Sequence, residues 1–246
     1  MKAAQLYGLI RSAVIYRARP WKARRVIRFY RPLVQPGDLC FDIGAHIGDR
    51  TAAFRRLGAR VVAVEPQPQF AAALRTLHGR DGDVTLIEAA IGAEAGRADL
   101  LISNRTPTVS TLNEAWADRV AKEPSFAGVT WDTRARVTVI TLDNLIAEHG
   151  RPAFCKIDVE GHEAEVLRGL TQPIRALSFE YLPGARGAAE ACVERLAALG
   201  DYAFNVSVSE TMRLIFPEWR NGDAMTKWIG ALPEDAPSGD IYARLA

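Results

Sequence analysis

From residue 38 onward, short apolar runs alternate with segments of helical period. Leu39-Cys40-Phe41-Asp42-Ile43 is apolar but for one acid, bounded by Pro36-Gly37-Asp38 and Gly44, and reads as a buried parallel strand. Residues 49–57 follow with Ala52, Ala53, Phe54 and Leu57 on one face and stop at Gly58, a helix C-cap. Val61-Val62-Ala63-Val64 reads as the second strand. A helix bearing Phe70, Ala71, Leu74 and Leu77 comes next, then a third strand over Val84-Thr85-Leu86-Ile87 that ends at Glu88-Ala89-Ala90. Strand and helix in strict alternation, with short links, predict a doubly wound parallel sheet whose strand C-termini share one edge.

The rhythm breaks over 97–142. Ala98–Ile102 and Val137–Ile140 read as two inserted strands, separated by a polar loop with Thr108, Ser110 and Thr111 and by a short helix over 112–121; residues 104–135 are a candidate lid. Alternation resumes with Phe154–Asp158, a helix over 161–169, a fifth strand over Ala176–Glu180 and a helix over 186–199. Tyr202–Val208 and Asp240–Leu245 read as closing strands, and Met212–Phe216 fits either a hairpin arm or an extended loop. Residues 1–37 read as a helical arm broken by Pro20, Pro32 and Pro36, with the enzyme domain over 38–246.

Composition changes this picture at one place. Net charge over the 246 residues is only +2, which argues against a nucleic-acid partner for the chain as a whole. Yet no acid precedes Asp38, while Lys2, Arg11, Arg17, Arg19, Lys22, Arg24, Arg25, Arg28 and Arg31 all do. The plain reading is a solvated basic helix; the sharper one is weak contact with an anionic membrane surface. Cys40, Cys155 and Cys192 are far apart in apolar surroundings, which suits reduced thiols and a cytoplasmic location better than a disulfide frame or zinc site. No apolar run reaches the roughly 18 residues of a membrane span.

Candidate chemistry gathers at the predicted strand ends. Asp42-Ile43-Gly44-Ala45-His46-Ile47-Gly48 is a glycine turn after an acid, without the GxGxxG spacing that cradles a pyrophosphate. A carboxylate at Asp42 would repel a pyrophosphate and suits a cationic ligand such as S-adenosylmethionine. Glu65, followed by Pro66, ends the second strand, where an acid accepts hydrogen bonds from ribose hydroxyls. Glu88 or Ala89 at the third strand end is placed to meet an adenine amine. Lys156-Ile157-Asp158-Val159-Glu160-Gly161-His162-Glu163 crowds ionisable groups at the fourth strand end; acids at a helix start account for Glu163 but less well for Asp158 and Glu160.

These stretches together resemble the FkbM family of S-adenosylmethionine-dependent methyltransferases. The resemblance runs over Phe41 to Gly48, Val64-Glu65-Pro66, Ser110-Thr111-Leu112, Val139 to Asp143, and above all the run KIDVEGHEAEVLRG from Lys156 to Gly169, with Glu180 as the acid after strand five. It implies an α/β, Rossmann-like class I methyltransferase fold: a seven-stranded, mostly parallel sheet with helices on both faces and an antiparallel seventh strand. It also implies methyl transfer to a hydroxyl oxygen of a small molecule, a sugar or natural product. Candidate catalytic residues are Asp158, Glu160, His162 and Glu180; candidate cofactor contacts are Asp42, Gly44, His46, Gly48, Glu65, Pro66, Glu88, Ala89 and Asp158. Asp158 and Glu180 offer oxygen ligands to Mg2+, but no full ligand set is legible. Trp116, Trp131, Tyr181, Trp219 and Trp228 are candidates for an aromatic acceptor pocket. The rival readings are an NAD-dependent Rossmann oxidoreductase, which the Asp42 turn disfavours, and a non-catalytic scaffold with a methyltransferase fold, which has no need of charged strand ends.

Overall fold

The structure is a computed structural model that describes residues 20–123 and 126–246. Of the predicted arm over residues 1–37, residues 1–19 lie outside the described residues. The first described helix is α1 (Pro20–Tyr30); a proline is tolerated in a first helical turn because the N–H it lacks has no helical partner there in any case.

The core of the molecule is a seven-stranded sheet. Its strands are β1 (Leu39–Ile43), β2 (Arg60–Val64), β3 (Val84–Ile87), β7 (Phe154–Ile157), β8 (Ala176–Tyr181), β9 (Tyr202–Val208) and β10 (Gly239–Leu245). Their order is β3-β2-β1-β7-β8-β10-β9, and only β10 runs antiparallel to its neighbours. The chain therefore winds outward from β1 in both directions, and the switch lies between β1 and β7, where ligands enter open α/β sheets. Helices α2 (Asp49–Arg56), α3 (Pro68–His78), α6 (Glu163–Arg168) and α7 (Arg186–Leu199) each follow a parallel strand. The central strands are buried on both faces; Phe41, Ile43, Val62, Val64, Ile157, Leu177 and Phe179 pack in one cluster with Val166, Leu167 and Leu196 from the helices. That two-sided burial is why β1, β2 and β7 read as apolar runs rather than as alternations.

The insertion forms its own small sheet. β5 (Gly96–Ile102) and β6 (Thr133–Ile140) pair antiparallel, and a two-residue strand, β4 (Ala90–Ile91), pairs parallel with β6. The helix between them, α4 (Glu114–Val120), is capped by the Asn113 side chain accepting from the Trp116 N–H at 2.9 Å. β6 starts four residues before the apolar run that predicts it, since its first half alternates and faces solvent. Two helices were not legible: α5 (Leu142–His149), which carries a Thr141–Asn144 capping box, and α8 (Gly222–Gly230), capped by Asn221. Residues 212–216 form an extended loop, tied to β9 by Ile215 N–H donating to the Val206 carbonyl.

Candidate active site

At the C-terminal edge of β1, β2 and β7 the sheet opens into a cleft of about 960 Å3, counted to its open mouth. Asp42, the last residue but one of β1, has 1% of its surface exposed, and its Oδ2 accepts a 2.6 Å hydrogen bond from the Thr51 hydroxyl on α2. Burial pushes this carboxyl up to about 6, against the lowering pull of Thr51 and Lys156. The chain then turns through Gly44, whose φ of 78° favours glycine and whose α-carbon faces the Asp158 carbonyl so closely that a Cβ would overlap it. The first glycine of the turn is thus fixed by the backbone of the fourth strand end, more than a hundred residues away in sequence.

Glu65 closes the same turn. Its Oε2 accepts from the His46 N–H and its Oε1 from the Gln67 N–H, both at 2.8 Å. Burial still lifts the carboxyl to about 7. The His46 ring packs on Phe70 at 4.0 Å between centroids, and burial drives its pKa down to about 4, so the ring is neutral at physiological pH. Gln67 connects this edge to the insertion: its Nε2 donates to the Pro107 carbonyl and its Oε1 accepts from the Ser110 hydroxyl. Pro107, Thr108, Ser110, Thr111 and Leu112 form the cleft wall opposite the sheet.

The fourth strand end supplies the most charge. Lys156, 3% exposed, donates to Asp158 Oδ2 at 2.5 Å. Burial alone would raise the Asp158 carboxyl; the Lys156 ammonium, with Arg50 and His46 behind it, outweighs that effect and holds it below the usual carboxylate range. Glu160 and Gly161 both adopt positive φ, 55° and 84°, and a Cβ at Gly161 would strike the Trp116 indole. Glu163 steadies this turn by accepting from the Val159 N–H at 3.1 Å and the Gly161 N–H at 3.3 Å. Burial, then Asp158 and Glu163, push Glu160 well above its ordinary value; burial, then Glu160 and Asp158, do the same to Glu180. Carboxylate oxygens of Asp158, Glu160 and Glu180 lie within 4.8 Å of one another, a hard-oxygen donor set of the kind magnesium takes, with Lys156 already bound to one of its members.

The cleft thus brings together Asp42, Gly44, His46, Glu65, Pro66, Ala89, Asp158, Glu160 and His162. It does not bring in Glu88, whose half-exposed side chain turns away to an ion pair with Arg75. Gly48 serves packing: its φ is 78° and a Cβ there would press on Leu74 of α3. Glu180 lies behind the cleft, in a small cavity with Trp116, Gly161 and Tyr181. His162 occupies the N-cap position of α6 but caps nothing; it faces the cleft, and burial lowers its pKa, against a weaker pull from Glu165. The five aromatic candidates pack among other side chains. Trp116 packs edge-on against Phe126 and Trp131, Tyr181 against Trp228, and Trp219 under Arg244, and none of the five lines the cleft.

Sequence reasoning passed over Thr51, Gln67, Arg50 and Glu210. Arg50 is 6% exposed, lines the cleft, and binds Asp49 at 2.5 Å and Glu210 at 3.3 Å. Lys156 carried a visible signal, a lysine inside an apolar strand. Glu210 carried none, because only the fold brings it back to α2.

A methyltransferase FkbM domain model matches residues 42–204, which includes the strand ends and the insertion that line this cleft but not Glu210. The chain belongs to the FkbM methyltransferase family. It is 28% identical over 168 residues to the hexuronic acid methyltransferase AglP of Haloferax volcanii, a match spanning 67% of this chain and 64% of that protein. Among solved structures, it resembles precorrin-6y C5,15-methyltransferase of Geobacter metallireducens (TM-score 0.45, 16% identity, 90% of this chain and 87% of that one). It also resembles an rRNA methylase of Streptococcus thermophilus (TM-score 0.43, 12% identity, 89% and 94%). Family membership sets aside the oxidoreductase reading. Among the described residues no helix is long and apolar enough to cross a membrane.

Proposed function

We propose that this FkbM-family chain binds S-adenosylmethionine in the β1–β2–β7 cleft and moves its methyl group to a hydroxyl oxygen of a small molecule, a sugar or sugar acid. The observation that carries the reading is the charge of the cleft. Asp42, Asp49, Glu65, Asp158 and Glu210 line it against the cations Arg50 and Lys156, while Glu160, a further acid there, is pushed toward its neutral form. Two of these acids, Asp42 and Glu65, are so desolvated that their carboxyls are pushed up to about 6 and about 7. Such a site repels a pyrophosphate and favours a ligand bearing positive charge. The donor set fits the cofactor: Asp42, Gly44, His46, Glu65, Pro66 and Ala89 would hold it, at a turn whose close approach to the Asp158 carbonyl needs Gly44.

Bound there, the cofactor supplies an activated methyl carbon, so the difficult chemistry is its own. The protein's share is alignment and proton removal. Alignment of two reactants is worth up to about 7–11 kcal/mol, while a general base adds roughly 10²–10⁴-fold. Asp158, fixed by Lys156, and the rings of His46 and His162 stand deprotonated in the cleft at neutral pH, and of the two rings His46 is already packed against Phe70. We assign proton removal from the acceptor hydroxyl to His162 and its orientation to Asp158. Glu160 and Glu180, pushed toward their neutral forms, are poor bases and better hydrogen-bond donors. The insertion, tied down through Gln67, would close the cleft against water. The acceptor class is drawn from the relative that methylates hexuronic acid, of which this chain spans under two thirds.

The test is calorimetry followed by turnover. S-adenosylhomocysteine should bind and NADH should not; labelled methyl should then pass from S-adenosylmethionine to sugar acids or neutral sugars. Binding of NADH alone, or labelling confined to amines, would overturn the reading.

A further inference from the structure

We propose that the outward face of α1 docks the protein on an anionic lipid bilayer, with the mouth of the reaction cleft beside the contact. The apolar side of α1 is already used: Val26 and Tyr30 are buried against α2 and the sheet, with Tyr30 packed edge-on to Phe54 and Phe154. What remains outside is cationic. Arg24, Arg25, Arg28 and Arg31 are exposed, and no acid lies on the helix to balance them. Trp21, at the start of the helix, is 68% exposed, the most exposed large hydrophobic side chain among the described residues. An indole beside a row of arginines matches a bilayer interface, where the ring lies at headgroup depth and each guanidinium meets anionic lipid.

A bilayer is favoured over a nucleic acid by what precedes the helix in sequence. Residues 1–19 mix Lys2, Arg11, Arg17 and Arg19 with Leu6, Leu9, Ile10, Val14 and Ile15. A phosphate backbone has no use for those aliphatic side chains, whereas a lipid interface does. The position of the face gives the contact a purpose. A second cleft, of about 650 Å3 to its open mouth, runs along α1 past Lys22, Arg25 and Arg56 and shares Asp49, Arg50 and Glu210 with the wall of the reaction cleft. Arg25 binds the Glu210 carbonyl at 2.6 Å, so the docking helix is tied to that shared wall. Docking through α1 would hold the reaction cleft next to acceptors carried on the membrane.

The test uses the full chain with phosphatidylcholine vesicles, with and without phosphatidylglycerol. The wild type should sediment with the anionic vesicles and not with the neutral ones. Binding should fall steeply in 1 M salt, where the screening length shrinks to about 3 Å. Each arginine near the surface is worth about fivefold, so Arg24→Gln, Arg28→Gln and Arg31→Gln together should weaken binding by about a hundredfold. Their affinity for S-adenosylhomocysteine and their melting temperature should stay at wild-type values. Equal binding to both vesicle types, binding insensitive to salt, or undiminished binding by the folded triple variant would each overturn the proposal. So would a preference for single-stranded RNA over anionic vesicles at equal phosphate.

Discussion

Replacing Glu65 by Gln isolates the electrostatic reasoning about the cleft, because shape is kept and only charge and one acceptor change. In the free protein both Glu65 oxygens accept backbone N–H groups at 2.8 Å, from His46 and Gln67. The glutamine amide turns one of those contacts into donor against donor, leaving a buried N–H unpaired at a cost of about 1–3 kcal/mol. The opposing effect has a definite sign. The folded carboxyl titrates at about 7, above the 4.5 of an unstrained glutamate. Its contribution to stability is therefore complete below about 4.5 and is lost as pH rises through 7, a loss of about 3 kcal/mol at alkaline pH. Glutamine removes that loss. The two effects nearly cancel, so at pH 8 the variant should melt close to the wild type.

Ligand binding should separate them. A carboxylate accepting from ribose hydroxyls is worth about 1.5–3 kcal/mol, so the variant should bind S-adenosylhomocysteine roughly 10- to 150-fold more weakly at pH 8. In the wild type, affinity should rise with pH from 5 to 8 as Asp42 and Glu65 ionise, with protons released to buffer on binding. In the variant the rise should flatten above the Asp42 value of about 6. Calorimetry in two buffers of different ionisation enthalpy reads both quantities. A variant within twofold of wild-type affinity, or a wild type whose affinity is flat over this range, would refute the assignment of Glu65 to the cofactor.

The remaining expectations concern the strand-four edge and the glycine turn. His162→Ala should lower kcat by about 10²–10⁴ with cofactor affinity retained, and should abolish the acid limb of the pH–rate profile; that limb lies below the usual histidine range because the pKa of the ring is lowered. Asp158→Ala should lower turnover by orders of magnitude and also destabilise the fold by leaving Lys156 buried without its partner, whereas near-normal turnover would remove Asp158 from the site. Gly44→Ala should cost about 2–5 kcal/mol, from left-handed backbone strain plus overlap with the Asp158 carbonyl, and lower the melting temperature by about 5–15 °C in a thermal scan.

Much of this protein was legible in its sequence because parallel strands declare themselves locally. Two-sided burial makes β1, β2, β7 and β8 continuous apolar runs, and the residues that end them, Asp42, Glu65 and Asp158, then fall on one edge by the handedness of the crossovers. Short elements with polar faces left weaker traces. α5 and α8 are announced mainly by their caps, and β4 is two residues long. What tertiary structure alone decided is which side chains at that edge face the cleft. Glu88 directly follows its strand as Glu65 follows β2, yet β3 is the outer strand, and there Arg75 of α3 captures the carboxylate in solvent. Gly44 and Gly48 look alike in sequence and both adopt a φ of 78°, but one makes room for the Asp158 carbonyl and the other for Leu74. Trp116 and Trp131, two of the candidates for an acceptor surface, pack against each other in the insertion, where burial of large rings is favourable. Local pattern sets which elements form and where chains turn; the sign and reach of each charged group depend on partners far away in sequence, and those only the folded chain supplies.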